Sequence, residues 1–318
     1  MELIEKSNDI LEKEYVDDDM AKNVHLYILI TPASNEEKYI EATIKSIVNQ
    51  TIRPKQWIII VNNSTDRTKT IVENWCKLHR WITCLDVTFK NERNFAIKVS
   101  AIEQAKNNID TNIDYQYIGI LDADVILPEN YYEQVMDRFL QNRKLGIAGG
   151  TLFEREGKKL SKRYCNTHSV AGSIQLFRKE CWVNVGNFIK LKYGGEDALA
   201  EIKARMYGWE VQSFKDVTGE HNRRTNSEGR SFFKEHFDIG VQDYYLSITL
   251  FFEIAKCIKR LSKKPAIIGS FFRFCGYFHC LTTMKKITIP KNIATYYKKE
   301  QKQMLYGFLL RKGLKEKQ

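Results

Sequence analysis

Asp122 and Asp124 stand at the end of the apolar run Ile118-Gly119-Ile120-Leu121, with Ala123 between them and Pro128 shortly after. Two carboxylates that converge at the edge of a buried strand can hold a divalent cation between protein and a diphosphate. Mg2+ and Mn2+ favour a few carboxylates completed by substrate phosphate oxygens. An Asp-x-Asp triplet is common on surfaces, but a buried-type strand is an expensive place for acids that serve only solubility. Further downstream, Gly194-Gly195-Glu196-Asp197 precedes a helical stretch over 198–207, and His221-Asn222-Arg223-Arg224 follows a strand-like stretch. Asp197 is in position for a helix N-cap. His221 alone reads as an ordinary surface or core histidine. Arg223 and Arg224 read as a solvated pair or, beside His221, as groups that steady a diphosphate.

The elements that would position these residues alternate. Leu26–Thr31, Trp57–Val61, Ile82–Val87, Tyr117–Leu121 and Leu145–Phe153 are short apolar runs, as buried strands are. Between them lie helical patterns: Ile40, Ile44, Ile47 and Val48, with Asn35 as a cap; Ile71, Val72 and Trp75, opened by Asp66; then stretches 96–105 and 129–141. Strands separated by amphipathic helices imply a mainly parallel sheet covered on both faces. Ligands of such sheets bind at the carboxyl ends of the strands, where the turns after Thr31, Val61 and Leu121 all fall. The second half is less regular. Residues 155–168, with Lys158, Lys159, Lys162 and Arg163, read as a solvated mobile loop or a lid. Val170–Phe177 and Trp209–Phe214 read as strands. No GxGxxG or GxxxxGK[ST] loop occurs, which disfavours a dehydrogenase or a P-loop NTPase.

Composition sets the wider limits. The 318 residues are 43% hydrophobic and 28% charged, ordinary for a globular chain. Seven dispersed cysteines without a CxxC argue for reduced thiols in a cytoplasmic setting, and no signal-peptide pattern opens the chain. The net charge of +11 is concentrated in the tail: residues 256–318 hold 16 Lys and Arg against Glu300 and Glu316, a surplus of +14. The rest is slightly acidic. Such asymmetry points to an anionic partner surface. Three regions are expected: an acidic flexible leader over 1–22, an α/β domain over 23–230, and a basic amphipathic helical tail over 231–318. Aromatic and apolar residues in the tail are interrupted by Pro265, Arg273 and His279, so a spanning helix is not expected. Two readings stay open there: a helical hairpin lying in a membrane interface, or helices packed on the main domain with a solvated basic face.

Taken in order, the motifs resemble the inverting glycosyltransferases of family 2, which have the GT-A fold. They are Thr31-Pro32-Ala33-Ser34-Asn35-Glu36-Glu37, Ser46-Ile47-Val48-Asn49-Gln50-Thr51 with Pro54, and Val61-Asn62-Asn63-Ser64-Thr65-Asp66-Arg67-Thr68. Leu121-Asp122-Ala123-Asp124, Gly195-Glu196-Asp197, Gly208-Trp209 and His221 complete the set. The tail, with Pro265, Gly269 and Gly276-Tyr277, is similar to a bacterial subgroup that builds surface polysaccharides.

The resemblance implies a nucleotide-sugar donor and a divalent metal, Mg2+ or Mn2+. Pro32, Ser34, Glu36, Asn62, Arg93, Asp122 and Ala123 would line the nucleotide-sugar site. Asp124, His221 and Asp122 would lie on the metal, and Asp197 would be the catalytic base. Ser34 stands where relatives often carry a base-stacking Tyr, and Asn62 where they carry an Asp, so base preference is expected to differ. The acceptor implied is a glycan or a lipid-linked intermediate, and the location is the inner face of the cell membrane. Rival readings are a nucleic-acid-binding protein using the basic tail, a nucleotidyltransferase, and a non-catalytic scaffold. The slightly acidic body, the lack of glycine in 31–38, and the joint presence of Asp122, Asp124, Asp197 and His221 disfavour them in turn. No nucleic-acid partner is expected.

Overall fold

The computed structural model describes residues 25–89, 96–156, 159–162, 166–223, 231–261 and 266–315. The acidic leader, Arg93, Lys158, Arg163, Arg224 and Pro265 lie outside the described residues. In chain order the elements are β1 (Tyr27–Ala33), α1 (Ile40–Val48), β2 (Gln56–Asn62), α2 (Thr68–Leu78), β3 (Ile82–Val87), α3 (Ala96–Lys106), β4 (Tyr117–Ile120) and β5 (Val125–Ile126). Then come α4 (Tyr131–Gln141), β6 (Leu145–Glu156), β7 (Lys159–Lys162), β8 (Leu176–Arg178), α5 (Lys179–Val185), α6 (Glu196–Met206) and β9 (Glu210–His221). Four helices follow: α7 (Phe232–Tyr245), α8 (Leu250–Arg260), α9 (Ala266–Thr282) and α10 (Lys291–Lys315).

The chain forms two compact units. Of the described residues, the first comprises 25–89, those within Ala101–Gly186, and Trp209–Arg223; the second comprises 96–100, Asn187–Gly208 and those from Ser231 onward. The first holds one sheet of nine strands, in the order β3-β2-β1-β4-β8-β6-β9-β5, with β7 paired to β6. From β3 to β4 all pairings are parallel, as the apolar runs and intervening helices require. Beyond β4 the sheet is mixed: β8 runs antiparallel to β4 and β6, β9 runs parallel to β6, and β5 runs antiparallel to β9. Its core is dense and aromatic. Tyr27 stacks on Tyr132 at 4.6 Å, and Tyr117 packs on Phe139 at 4.9 Å. Gly119 sits directly beside Leu29, and a Cβ there would come within 2.7 Å of the Leu29 side chain.

Three local expectations are corrected. The basic stretch after Arg155 contains β7, whose residues Leu160 and Lys162 pair with Arg155 and Phe153. Ladder hydrogen bonds come from the main chain, and an edge strand tolerates charged side chains. Conversely, the strand expected over 170–177 is confined to β8. Residues 171–174 make a turn, closed by the Ile174 N–H on the Ala171 carbonyl at 3.0 Å. The caps also differ: Asn35 does not cap α1, which starts after Tyr39.

The second unit is built on helices. Leu191, Leu199, Ile202, Leu246, Ile289 and Ile293 form its buried cluster. At the contact between α7 and α9 the backbones touch: a Cβ on Gly240 would lie 1.8 Å from the Arg273 carbonyl oxygen, and one on Gly276 would lie 2.0 Å from that of Phe237. Charge is buried here as well. Asp243 on α7 accepts from Lys256 Nζ at 2.7 Å and from Arg273 Nη2, while Arg273 Nε donates to Glu253 Oε1 at 3.0 Å. Among the described residues no helix is long and apolar enough to cross a membrane.

Candidate active site

At the carboxyl ends of β1 and β2 the chain makes two polar loops that satisfy each other. Asn35, held at φ 55°, donates its N–H to Ser64 Oγ at 3.1 Å, and its Oδ1 accepts the Thr65 N–H at 2.8 Å. Asp66 accepts the Glu37 N–H and the Thr68 N–H, both at 3.0 Å, and the Thr68 hydroxyl at 2.6 Å; Thr68 Oγ1 in turn accepts the Glu36 N–H at 2.7 Å. Burial works against the Asp66 carboxylate, yet these donors hold its pKa below the ordinary value. Along these strand ends Pro32 is half-buried, Ser34 exposed and Asn62 buried.

The acidic turn follows β4. The Asp122 N–H donates to the Ser173 carbonyl at 3.0 Å, and the Ala123 carbonyl accepts the Thr43 hydroxyl at 2.8 Å. This fixes the turn against α1 and lets Asp124 point inward. β5 then pairs with the last residues of β9, Val125 opposite His221. That register brings Asp124 and His221 together: Nε2 lies 2.9 Å from Oδ2, with the residues 2% and 5% exposed. The Asn222 N–H bonds to the Asp124 carbonyl at 2.9 Å. Arg223 then turns back, with Nε 2.5 Å from Asp124 Oδ2 and Nη2 2.6 Å from Glu36 Oε1, over the ring of Tyr39. Burial pushes the Asp124 carboxyl up, but the His221 and Arg223 contacts outweigh it and hold the group below the usual carboxylate range.

In the first unit His221 and Arg223 thus meet on Asp124, and Arg223 links Asp124 to Glu36, with Asp122 and Ala123 on the same turn. The link from Glu36 to Arg223 spans 187 residues and has no local sequence signal; only the order of motifs could have pointed to it. Arg93 lies outside the described residues. Asp197 belongs to the second unit. Gly194 and Gly195 have φ of 81° and 94°, and Gly195 caps α6. Asp197, half-buried in the first turn, accepts the Ala198 N–H on Oδ1 at 2.8 Å. The turn is braced by Gln242 of α7, whose Nε2 donates to the Tyr193 carbonyl at 3.1 Å.

The donor set fits a divalent cation. A buried carboxylate and an imidazole are adjacent, and both are ligands such ions accept. Among the described residues no three His, Cys, Asp or Glu side chains gather as a self-sufficient metal site. A cation held by Asp124 and His221 would take its remaining oxygens from substrate.

A parallel half-sheet continued by a mixed half, with carboxylates at the end of the fourth strand, defines the GT-A class of folds. A mannosyltransferase from Pyrobaculum calidifontis, solved in complex with GDP-Man and Mn2+, has this fold with a TM-score of 0.52 at 16% identity, over 88% of this chain and 80% of that one. Residues 28–192, just over half of the sequence, match glycosyl transferase family 2, and the chain belongs to that family. Among characterised relatives, the chondroitin synthase of Escherichia coli is 30% identical over 155 residues, which is 48% of this chain and 21% of that protein. The poly-beta-1,6-N-acetyl-D-glucosamine synthase of Staphylococcus epidermidis is 25% identical over 183 residues, 58% of this chain and 39% of that protein. The chain therefore matches well under half the length of these relatives.

Proposed function

We propose that this chain transfers a sugar from a nucleotide-diphosphate sugar to an acceptor hydroxyl, by a single displacement that inverts the anomeric centre. The observation that carries the reading is the buried Asp124–His221 pair at the strand ends of a family 2 fold. Asp124 and His221, with Asp122 beside them, would hold Mg2+ or Mn2+. When bound, such an ion neutralises charge on the departing diphosphate. Pro32, Ser34, Glu36 and Asn62 line the base and ribose side, with Asp122 and Ala123 on the same turn as Asp124; Arg93, outside the described residues, is assigned to the nucleotide by the resemblance alone. Ser34 offers no ring for stacking, and the Asn62 amide both donates and accepts.

Asp197 is the proposed base. The first turn of α6 fixes its carboxylate through the Ala198 N–H. One oxygen is held there, and the other takes the acceptor's proton as the anomeric carbon is attacked from the face opposite the diphosphate. The acceptor is a glycan or lipid-linked intermediate of a polysaccharide, a reading supported by the names of the relatives.

The tail over 231–318 is the proposed membrane contact, on the inner face of the cell membrane, and 23–230 is the proposed catalytic domain. Its support is a stripe on α8, where Phe251, Ile254 and Ile258 are exposed at helical spacing, continued by Leu261 just past its end, with Ile267 and Phe271 exposed on α9. The surplus of Lys and Arg in the same region suits anionic lipid.

A panel of UDP- and GDP-sugars, tested for hydrolysis and transfer with Mn2+ or with EDTA, tests the catalytic reading. Activity on one donor is expected, lost in EDTA and in Asp124→Ala. Full activity of Asp124→Ala in EDTA overturns it.

A further inference from the structure

Arg223 does more than border the site. Asp124 Oδ2 accepts from His221 Nε2 at 2.9 Å and from Arg223 Nε at 2.5 Å. A carboxylate oxygen offers about two lone-pair directions, and both are in use. A cation can reach this oxygen only after one donor leaves. The backbone of His221 is held by main-chain pairing on both sides, to Val125 of β5 and Glu154 of β6, so its ring stays beside Asp124. Arg223 lies two residues beyond that pairing, on a long side chain with a second anchor: its Nη2 is 2.6 Å from Glu36 Oε1, and its guanidinium lies 5.5 Å from the Tyr39 ring centroid. It can swing off Asp124 while keeping Glu36.

We propose that Arg223 is a built-in stand-in for the cation. In the chain without donor its guanidinium neutralises the buried Asp124; when metal and diphosphate enter, it leaves Asp124 and turns to the diphosphate. This rests on the reading of Asp124 as the cation-side carboxylate. A buried carboxylate with no counter-charge is costly, so the site needs a cation at all times. Arg223 supplies one until substrate brings another. It is a positioning residue, and it makes metal binding in the absence of nucleotide less favourable, because a guanidinium and a metal ion on one carboxylate repel each other. A guanidinium also matches a phosphate as well as it matches a carboxylate.

The test is Mn2+ binding, read by the electron paramagnetic resonance signal of free Mn2+, with and without UDP or GDP. It uses wild type, Arg223→Met, Arg223→Lys and Asp124→Asn, each first checked for cooperative unfolding. Without nucleotide, Arg223→Met should bind Mn2+ at least tenfold more tightly than wild type. Arg223→Lys should fall between them, because an ammonium cannot bridge two carboxylates in the same way. Asp124→Asn should not bind. With nucleotide the advantage of Arg223→Met should vanish or reverse. Wild-type affinity in either folded Arg223 variant overturns the inference, as does an advantage of equal size with nucleotide present. Those results leave Asp124 as a cation ligand. If no protein shows Asp124-dependent Mn2+ binding under any condition, the parent reading falls and the inference with it.

Discussion

Replacing Glu253 with Gln should stabilise the second unit at alkaline pH and change little in acid. Glu253 is fully buried, with Oε2 lacking a hydrogen-bond partner. It faces Asp243 from α7, Lys256 and Cys257 from its own helix, and Arg273 and Tyr277 from α9. Burial, then the negative charge of Asp243, push its carboxyl up to about 7, against the pull of Arg273 and Lys256. The same group titrates near 4.5 without these surroundings. Below that pH it is neutral in both folded and unfolded chains and costs nothing. Between about 4.5 and 7 the unfolded chain gives up the proton and the folded one keeps it, so stability falls as pH rises through this window. Roughly 1.4 kcal/mol per pH unit over that interval amounts to about 3 kcal/mol by pH 8. Gln copies the neutral acid and escapes the loss. Urea and thermal unfolding of the full-length proteins at pH 5 and pH 8 read the difference, in which titrating groups remote from Glu253 cancel. At pH 8 the variant should be about 3 kcal/mol more stable, on the order of 6–12 °C in Tm; at pH 5 the gap should be under about 1 kcal/mol. A variant less stable than wild type at pH 8, or a gap that ignores pH, would show that Glu253 is ionised and matched by Arg273 throughout.

Asp197→Asn should lower transfer by roughly two to four orders of magnitude while leaving donor affinity nearly unchanged; an NMR assay of the product should show inverted anomeric configuration, and near wild-type transfer would reject Asp197 as base. Gly240→Ala drives a methyl into the Arg273 carbonyl and should cost about 1–3 kcal/mol or more in urea unfolding. Wild-type stability would mean that α7 and α9 do not touch there. Phe251→Asp combined with Ile258→Asp alters only exposed side chains and should abolish co-sedimentation with anionic liposomes at low salt. Equal partitioning of variant and wild type would return the tail to ordinary packing.

Much of the first unit was legible because its signals are local. Apolar runs marked β1, β2, β3, β4 and β6 to within a few residues, and the motif order marked Asp124 and His221 as partners. What stayed hidden depends on distant pairing. β7 is a strand because β6 offers it a ladder, whatever its lysines prefer in isolation. The mixed half of the sheet, which sets Val125 opposite His221, follows from register and not from composition. In the tail, charge was read as surface. Asp243, Glu253, Lys256 and Arg273 sit on three helices, and only their packing turns scattered charges into one buried network. The bond between Arg223 and Glu36 is of the same kind.

The interlocked loops after β1 and β2 bear on redesign. Asn35 is bonded to Ser64 and Thr65, and Asp66 to Glu37. Neither loop can be exchanged alone without stranding donors and acceptors in the other. A graft intended to change base preference must carry residues 34–37 and 62–68 together, as a single cassette. Ser34 is a freer handle, being exposed and outside this set of bonds. Point changes there should leave the frame that presents Asp124 undisturbed.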